Sequence, residues 1–129
     1  MPALPAAILR PFLASLAALL LASPALAHHG WSWAEGEQTR LVGTIQQVSF
    51  APPHPSLVVK VGDVQWQVDL ANPQQTQRSG FAPGAAKPGD TVTILGNRAL
   101  DKSKHLIKAV RITVDGRDYD LYPERIKAN

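Results

Sequence analysis

The chain has 129 residues, with 13 Lys and Arg against 10 Asp and Glu, and no cysteine. That length supports one small domain, and the lack of cysteine excludes a disulfide framework and any thiol nucleophile. Positive and negative residues are interspersed without a basic stripe, which argues against a nucleic-acid partner.

The first 27 residues read as a cleavable export signal. Arg10 supplies a modest positive charge, residues 13–21 are almost wholly apolar, and Pro24 precedes an A-x-A site at Ala25-Leu26-Ala27. The apolar stretch is shorter than the roughly 20 residues of a membrane span. The expected location is therefore periplasmic or secreted, with no span left after cleavage. Cutting after Ala27 removes 27 of the 129 residues and leaves 102, with His28 first and His29 second. Cutting after Ala25 would put Leu26 first instead. The single methionine, Met1, leaves with the signal. The mature chain then offers a metal no thiolate and no thioether, which excludes Cu(I) thiolate, iron–sulfur and blue-copper sites.

Residues 28–40 form an N-terminal segment with His28-His29 and two tryptophans. Trp31 and Trp33 are spaced to share one side of an extended run, either plugging the segment onto the domain or offering rings to a partner. Residues 41–123 carry the pattern of a small β domain, and 124–129 form a tail. Residues 41–50 read as a long strand in which Gly43 signals a bulge or sharp bend. Ala51-Pro52-Pro53-His54-Pro55 is a stiff loop, and residues 56–61 are the second strand. Gly62-Asp63 turns the chain into residues 64–70, where Val64, Trp66, Val68 and Leu70 alternate onto one face.

Residues 71–88 lack strand periodicity, although Asn72-Pro73 opens a short helical turn through Gln77. A strand over residues 91–96 follows. The next runs over 105–114, with Ile107, Val110, Ile112 and Val114 inward. Asp115-Gly116 then turns into residues 117–122, and Pro123 ends that strand. Three strands, a connection, and two or three further strands predict an all-β, OB-like barrel of five to six strands. A small β-sandwich is the alternative.

Four histidines carry the candidate chemistry. A histidine at a free N-terminus grips a metal with both its α-amine and its imidazole Nδ1, and an α-amine loses its proton near neutral pH. His54, braced by three prolines, is a well-mounted third nitrogen. Together His28 and His54 would make a histidine brace. Such all-nitrogen tetragonal sites favour Cu(II), with zinc as a second metal. His29 is either a further ligand or a neighbour of the site, since adjacent residues of an extended chain point to opposite sides. His105 reads as an exposed strand-end residue. The plain alternatives are a histidine that merely follows the cleavage site and a solvated histidine on a rigid loop. Tyr119 and Tyr122 are candidates to cover a barrel end, Asp118 and Asp120 read as solvated, and Glu35 and Glu37 are minor carboxylate candidates. There is no G-x-S-x-G elbow, phosphate loop or H-E-x-x-H motif.

Ala27-His28-His29-Gly30-Trp31, Pro53-His54-Pro55, Val64-Gln65-Trp66-Gln67-Val68 and Pro88-Gly89-Asp90-Thr91-Val92-Thr93-Ile94-Leu95-Gly96, in that order, resemble a family of small exported bacterial proteins without an assigned function. Its members begin their mature chains with Ala-His-His and carry a Pro-His pair after the first strand. Where members often have Asn-Pro-His, this chain has Pro52-Pro53-His54. The resemblance spans nearly all of the mature chain and implies location and architecture rather than an activity.

The residues favour an exported Cu(II)-binding protein in copper storage, delivery or tolerance. Its ligands would be His28 and His54, with His29 as a further ligand or a neighbour of the site, and a periplasmic protein is a candidate partner beside the metal ion. A metal-free OB-like adaptor that holds a protein, peptide or glycan with Trp31 and Trp33 is the second reading. A copper oxidase or monooxygenase is the third, and it lacks an evident substrate platform.

Overall fold

The computed structural model describes residues 30–127 together with Ala3. The expected export signal apart from Ala3, together with His28 and His29, lies outside the described residues.

Six strands and one helix follow in order: β1 (Thr39–Ser49), β2 (Ser56–Val61), β3 (Val64–Asp69), α1 (Pro73–Arg78), β4 (Thr91–Arg98), β5 (Leu106–Val114) and β6 (Arg117–Asp120). The sheet order is β3-β2-β1-β4-β5-β6, and a parallel β3–β5 pairing closes the first five strands into a barrel. This is the OB-like barrel expected from the strand order, with β6 added at the edge of β5. Closure removes the two free edges that an open five-stranded sheet would expose.

Long β1 serves two neighbours. Thr39 to Thr44 pair with β4, and Thr44 to Ser49 pair with β2. Gly43 stands at this change of partner. A Cβ there would collide with the Lys60 carbonyl and reach Val59 Cγ1 at 2.7 Å. The bulge anticipated at Gly43 lies three residues on, where Gln46 is the extra residue between paired Ile45 and Gln47. Gly43 instead permits the close strand approach that bends the barrel.

Strand β5 has its own irregularity. Leu95 pairs with Arg111 and Gly96 with Ala109, so Val110 is inserted. The insertion shifts the alternation. Ile107 and Ala109 point inward before it, and Ile112 and Val114 after it, while Val110 is itself buried.

The core contains Ile45, Leu57, Val59, Trp66, Val68, Val92, Ile94, Ile107 and Ile112. Val64 departs from the expected inward face. It follows the Gly62-Asp63 turn at the hairpin tip and is exposed.

Helix α1 begins where Asn72-Pro73 predicts. The Asn72 side chain accepts from the Gln75 amide at 2.8 Å, and Pro73 occupies the first turn, where its missing N–H is harmless. Thr76 is buried and Gln75 Nε2 donates to the Leu121 carbonyl, which joins the helix to the chain after β6. Phe81 packs between Phe50 and Tyr119. No helix among the described residues is long and apolar enough to cross a membrane.

Candidate functional site

His54 lines a cleft of about 210 Å³ with Pro53, Asp69, Leu70, Asn72, Lys108 and Tyr122. The cleft lies at the barrel seam, because Asp69 ends β3 and pairs in register with Lys108 of β5.

Local structure fixes the His54 ring. The Pro55 carbonyl accepts from the Leu70 amide at 3.0 Å, which ties the loop to the end of β3. The same oxygen lies 3.2 Å from His54 Nδ1. A carbonyl only accepts, so Nδ1 carries the proton in this contact and Nε2 is left to face the cleft. There Nε2 lies 3.8 Å from Asp69 Oδ2. The other carboxylate oxygen, Oδ1, accepts from Gln67 Nε2 at 3.3 Å. Backbone-anchored imidazoles of this kind are the usual form of a metal-ligating histidine.

Lys108 brings a cation into the cleft from β5. It is only 6% exposed, unusual for lysine. Its Nζ donates to the Gly30 carbonyl at 3.3 Å and sits 4.4 Å from the Trp31 ring centroid. Burial lowers the Lys108 pKa below the ordinary lysine value; the Asp69 carboxylate opposes the shift and Arg125 adds to it. Burial also raises the Tyr122 phenol, with Arg125 opposing.

Trp31 is the anchor of the N-terminal segment. Besides Lys108, the Arg125 guanidinium lies 4.0 Å from its ring centroid, and Tyr122 meets it edge-on at 4.9 Å. The segment is not the extended run expected from the Trp31–Trp33 spacing. The Ala34 amide bonds back to the Trp31 carbonyl at 3.0 Å, forming a turn. Ala34 then bridges Ala99, and the Trp33 carbonyl accepts from the Leu100 amide. Backbone pairing with the end of β4 therefore overrides the simple alternation, and Trp33 is half-buried away from the cleft lining.

The other candidates go elsewhere. His105 is exposed and packs its ring on Trp66 at 5.3 Å. Glu35 is held by Lys102 and Arg98. Tyr119 is buried under Phe81, whereas Tyr122 reaches Trp31, so the two tyrosines serve different contacts. Asp120 is not simply solvated, since Arg111 clasps it with Nε at 2.5 Å and Nη2 at 3.1 Å. Asp118 lies 3.6 Å from the same Arg111 Nε.

Sequence reasoning missed Asp69 and Lys108. Each is a charged residue in an alternating strand, and such residues ordinarily face solvent. Only the β3–β5 closure, which joins segments about 40 residues apart, turns them into one cleft. Among the described residues, no three His, Cys, Asp or Glu side chains cluster as a complete metal site. His54 and Asp69 supply two donors.

The model of a family of unknown function (DUF6152) matches residues 16–108. A chain from the crystal structure of the S. pombe Stn1–Ten1 complex is similar in fold, with a TM-score of 0.50 and 17% identity. That match covers 60% of this chain and 57% of the other, so it spans little more than half of the solved chain and speaks to the fold alone. Comparison with curated proteins gave no match. The family match spans most of the chain, and the protein belongs to the DUF6152 family.

Proposed function

We propose that this DUF6152 protein is an exported Cu(II)-binding protein whose site joins the mature N-terminus to His54, serving copper storage, delivery or tolerance. The observation that carries the reading is the position of Gly30. Its carbonyl is bonded to Lys108, and Lys108 lines the same cleft as His54. His29 and His28 are the next residues back along the chain. Two residues of chain span at most about 7 Å, and that short reach supports a site shared by a terminus at His28 and the His54 cleft.

In this reading the His28 amine and Nδ1 form a chelate, and His54 Nε2 supplies the third nitrogen. His29 is a further donor or a neighbour. Nitrogen donors without sulfur suit Cu(II) above the other divalent first-row ions, with zinc next to it. The contacts of Lys108, Arg125 and Tyr122 with Trp31 support an anchoring role for that ring rather than a free stacking platform. This weighs against the adaptor reading.

The test is a Cu(II) titration of protein whose mass confirms His28 as residue one, beside a protein with one glycine added before it. Tight one-to-one binding with a nitrogen-rich EPR spectrum, lost on adding the glycine, is the expected result. Weak binding indifferent to the glycine would overturn the reading and return the barrel to the adaptor class.

A further inference from the structure

We propose that Asp69 is an oxygen ligand of the same site and makes it selective for Cu(II) over Cu(I). The inference rests on the copper reading above and adds a residue that the histidines alone do not predict. Asp69 Oδ2 lies 3.8 Å from His54 Nε2. With metal–ligand bonds of about 2.0–2.2 Å, two donors at that separation subtend roughly 130° at a shared ion. A closing movement of about 0.8 Å brings them to the 90° angle between neighbouring ligands of a tetragonal Cu(II) site at the same bond lengths.

Both donors are already aimed. The Pro55 carbonyl holds the Nδ1 side of His54, and Gln67 holds Oδ1 of Asp69, which leaves Nε2 and Oδ2 facing each other. A metal ion placed between Nε2 and Oδ2 binds both groups. The carboxylate cancels one of the two charges of Cu(II) in a cleft that also holds the Lys108 ammonium. A hard oxygen donor gives little to soft Cu(I), and the mature sequence has no sulfur to compensate.

The test uses the mature protein and measures Cu(II) and Cu(I) affinities by chelator competition, with EPR on the Cu(II) form. Asp69→Asn keeps the shape and removes the charge, Asp69→Glu restores a carboxylate, and a thermal melt checks folding. Asp69→Asn is expected to weaken Cu(II) by about 10- to 100-fold, to shift the EPR spectrum, and to leave Cu(I) affinity nearly unchanged. Asp69→Glu should recover part of the loss. Unchanged Cu(II) affinity and EPR in Asp69→Asn, with binding still lost on N-terminal glycine addition, would overturn the Asp69 assignment and leave the terminal chelate standing. Equal losses for both oxidation states would also overturn it, as the mark of a merely structural role. Loss in Asp69→Asn with no effect of the added glycine would keep Asp69 and His54 as ligands and overturn the terminal chelate. No binding by the unaltered mature protein would overturn both.

Discussion

Asp69 and Lys108 are register partners across the parallel β3–β5 pairing that closes the barrel. The closing seam therefore carries opposite charges where a small barrel would ordinarily bury apolar side chains. The same seam receives the His54 loop through the Pro55 carbonyl and the N-terminal segment through Gly30. Fold closure and cleft assembly are thus one event, and changes that loosen the seam will disturb both.

Gly96 tests how tightly β4 packs against β5, the strand that forms one side of that seam. A Cβ at this position would collide with the Lys108 carbonyl and come within 3.0 Å of Ala109 Cα. Both obstacles are backbone of β5, so neither can swing aside. Gly96→Ala should cost about 1–3 kcal/mol, read as a lower urea midpoint with an unchanged slope. A variant as stable as the parent would mean that β4 and β5 separate more readily than their pairing indicates.

Trp31→Ala removes the ring against which Lys108, Arg125 and Tyr122 pack. Exposed cation–π contacts contribute about 0.5–1 kcal/mol each, and an aromatic edge contact adds a similar amount. The expected loss is about 1.5–3 kcal/mol, together with faster proteolysis between residues 30 and 38. Unchanged protease resistance would show that the Ala34–Ala99 bridge alone holds the segment.

The cross-strand pair Arg111–Asp120 predicts an acid-dependent contribution to stability. The Arg111 side-chain hydrogen bond lowers the Asp120 pKa below its usual value, against the raising effect of burial. A carboxyl depressed in the folded state stabilises the protein above the unfolded pKa, and that contribution fades as pH falls through the folded one. Asp120→Asn should therefore be less stable than the parent near neutrality, with the gap closing below about pH 4. The pair is about a third exposed, so the gap should stay under about 1 kcal/mol. A gap that persists at pH 2 would assign the effect to packing instead.

Much of the barrel was legible because its signals are local. Val68 and Leu70 alternate inward with Trp66, Gly62-Asp63 turns tightly, and Asn72-Pro73 starts a helix. His54 was legible as a mounted histidine for the same reason, since its three proline neighbours are contiguous with it. What the sequence hid depends on distant pairing. Val110 shifts the alternation of β5 only because Gly96 and Leu95 pair around it. The Trp31–Trp33 spacing suggests an extended run, but Ala99 and Leu100 draw the segment into a turn. Asp69 and Lys108 become neighbours only when the first three strands meet the fifth.

Lys108 is the residue whose removal should strengthen copper binding. Lys108 lines the cleft of His54 and Asp69, and an ammonium within a single cleft of a divalent ion repels it by on the order of 1 kcal/mol even at the dielectric of water, close to a tenfold effect on affinity. Lys108→Met keeps the length of the apolar stem and removes the charge. Cu(II) should bind the variant about tenfold more tightly, opposite in sign to Asp69→Asn. The stability of the two proteins should also diverge with pH. Burial lowers the Lys108 pKa in the folded state, so between that value and the ordinary 10.5 the unfolded chain holds more protons. The parent should therefore gain stability as pH rises through this alkaline window, while Lys108→Met lacks that increment. Melting curves taken across the window check the second expectation, and chelator competition at neutral pH checks the first. Weaker copper binding in Lys108→Met would overturn the charge argument. It would show that the Lys108 bond to Gly30 matters to the site chiefly by holding the entering chain in place.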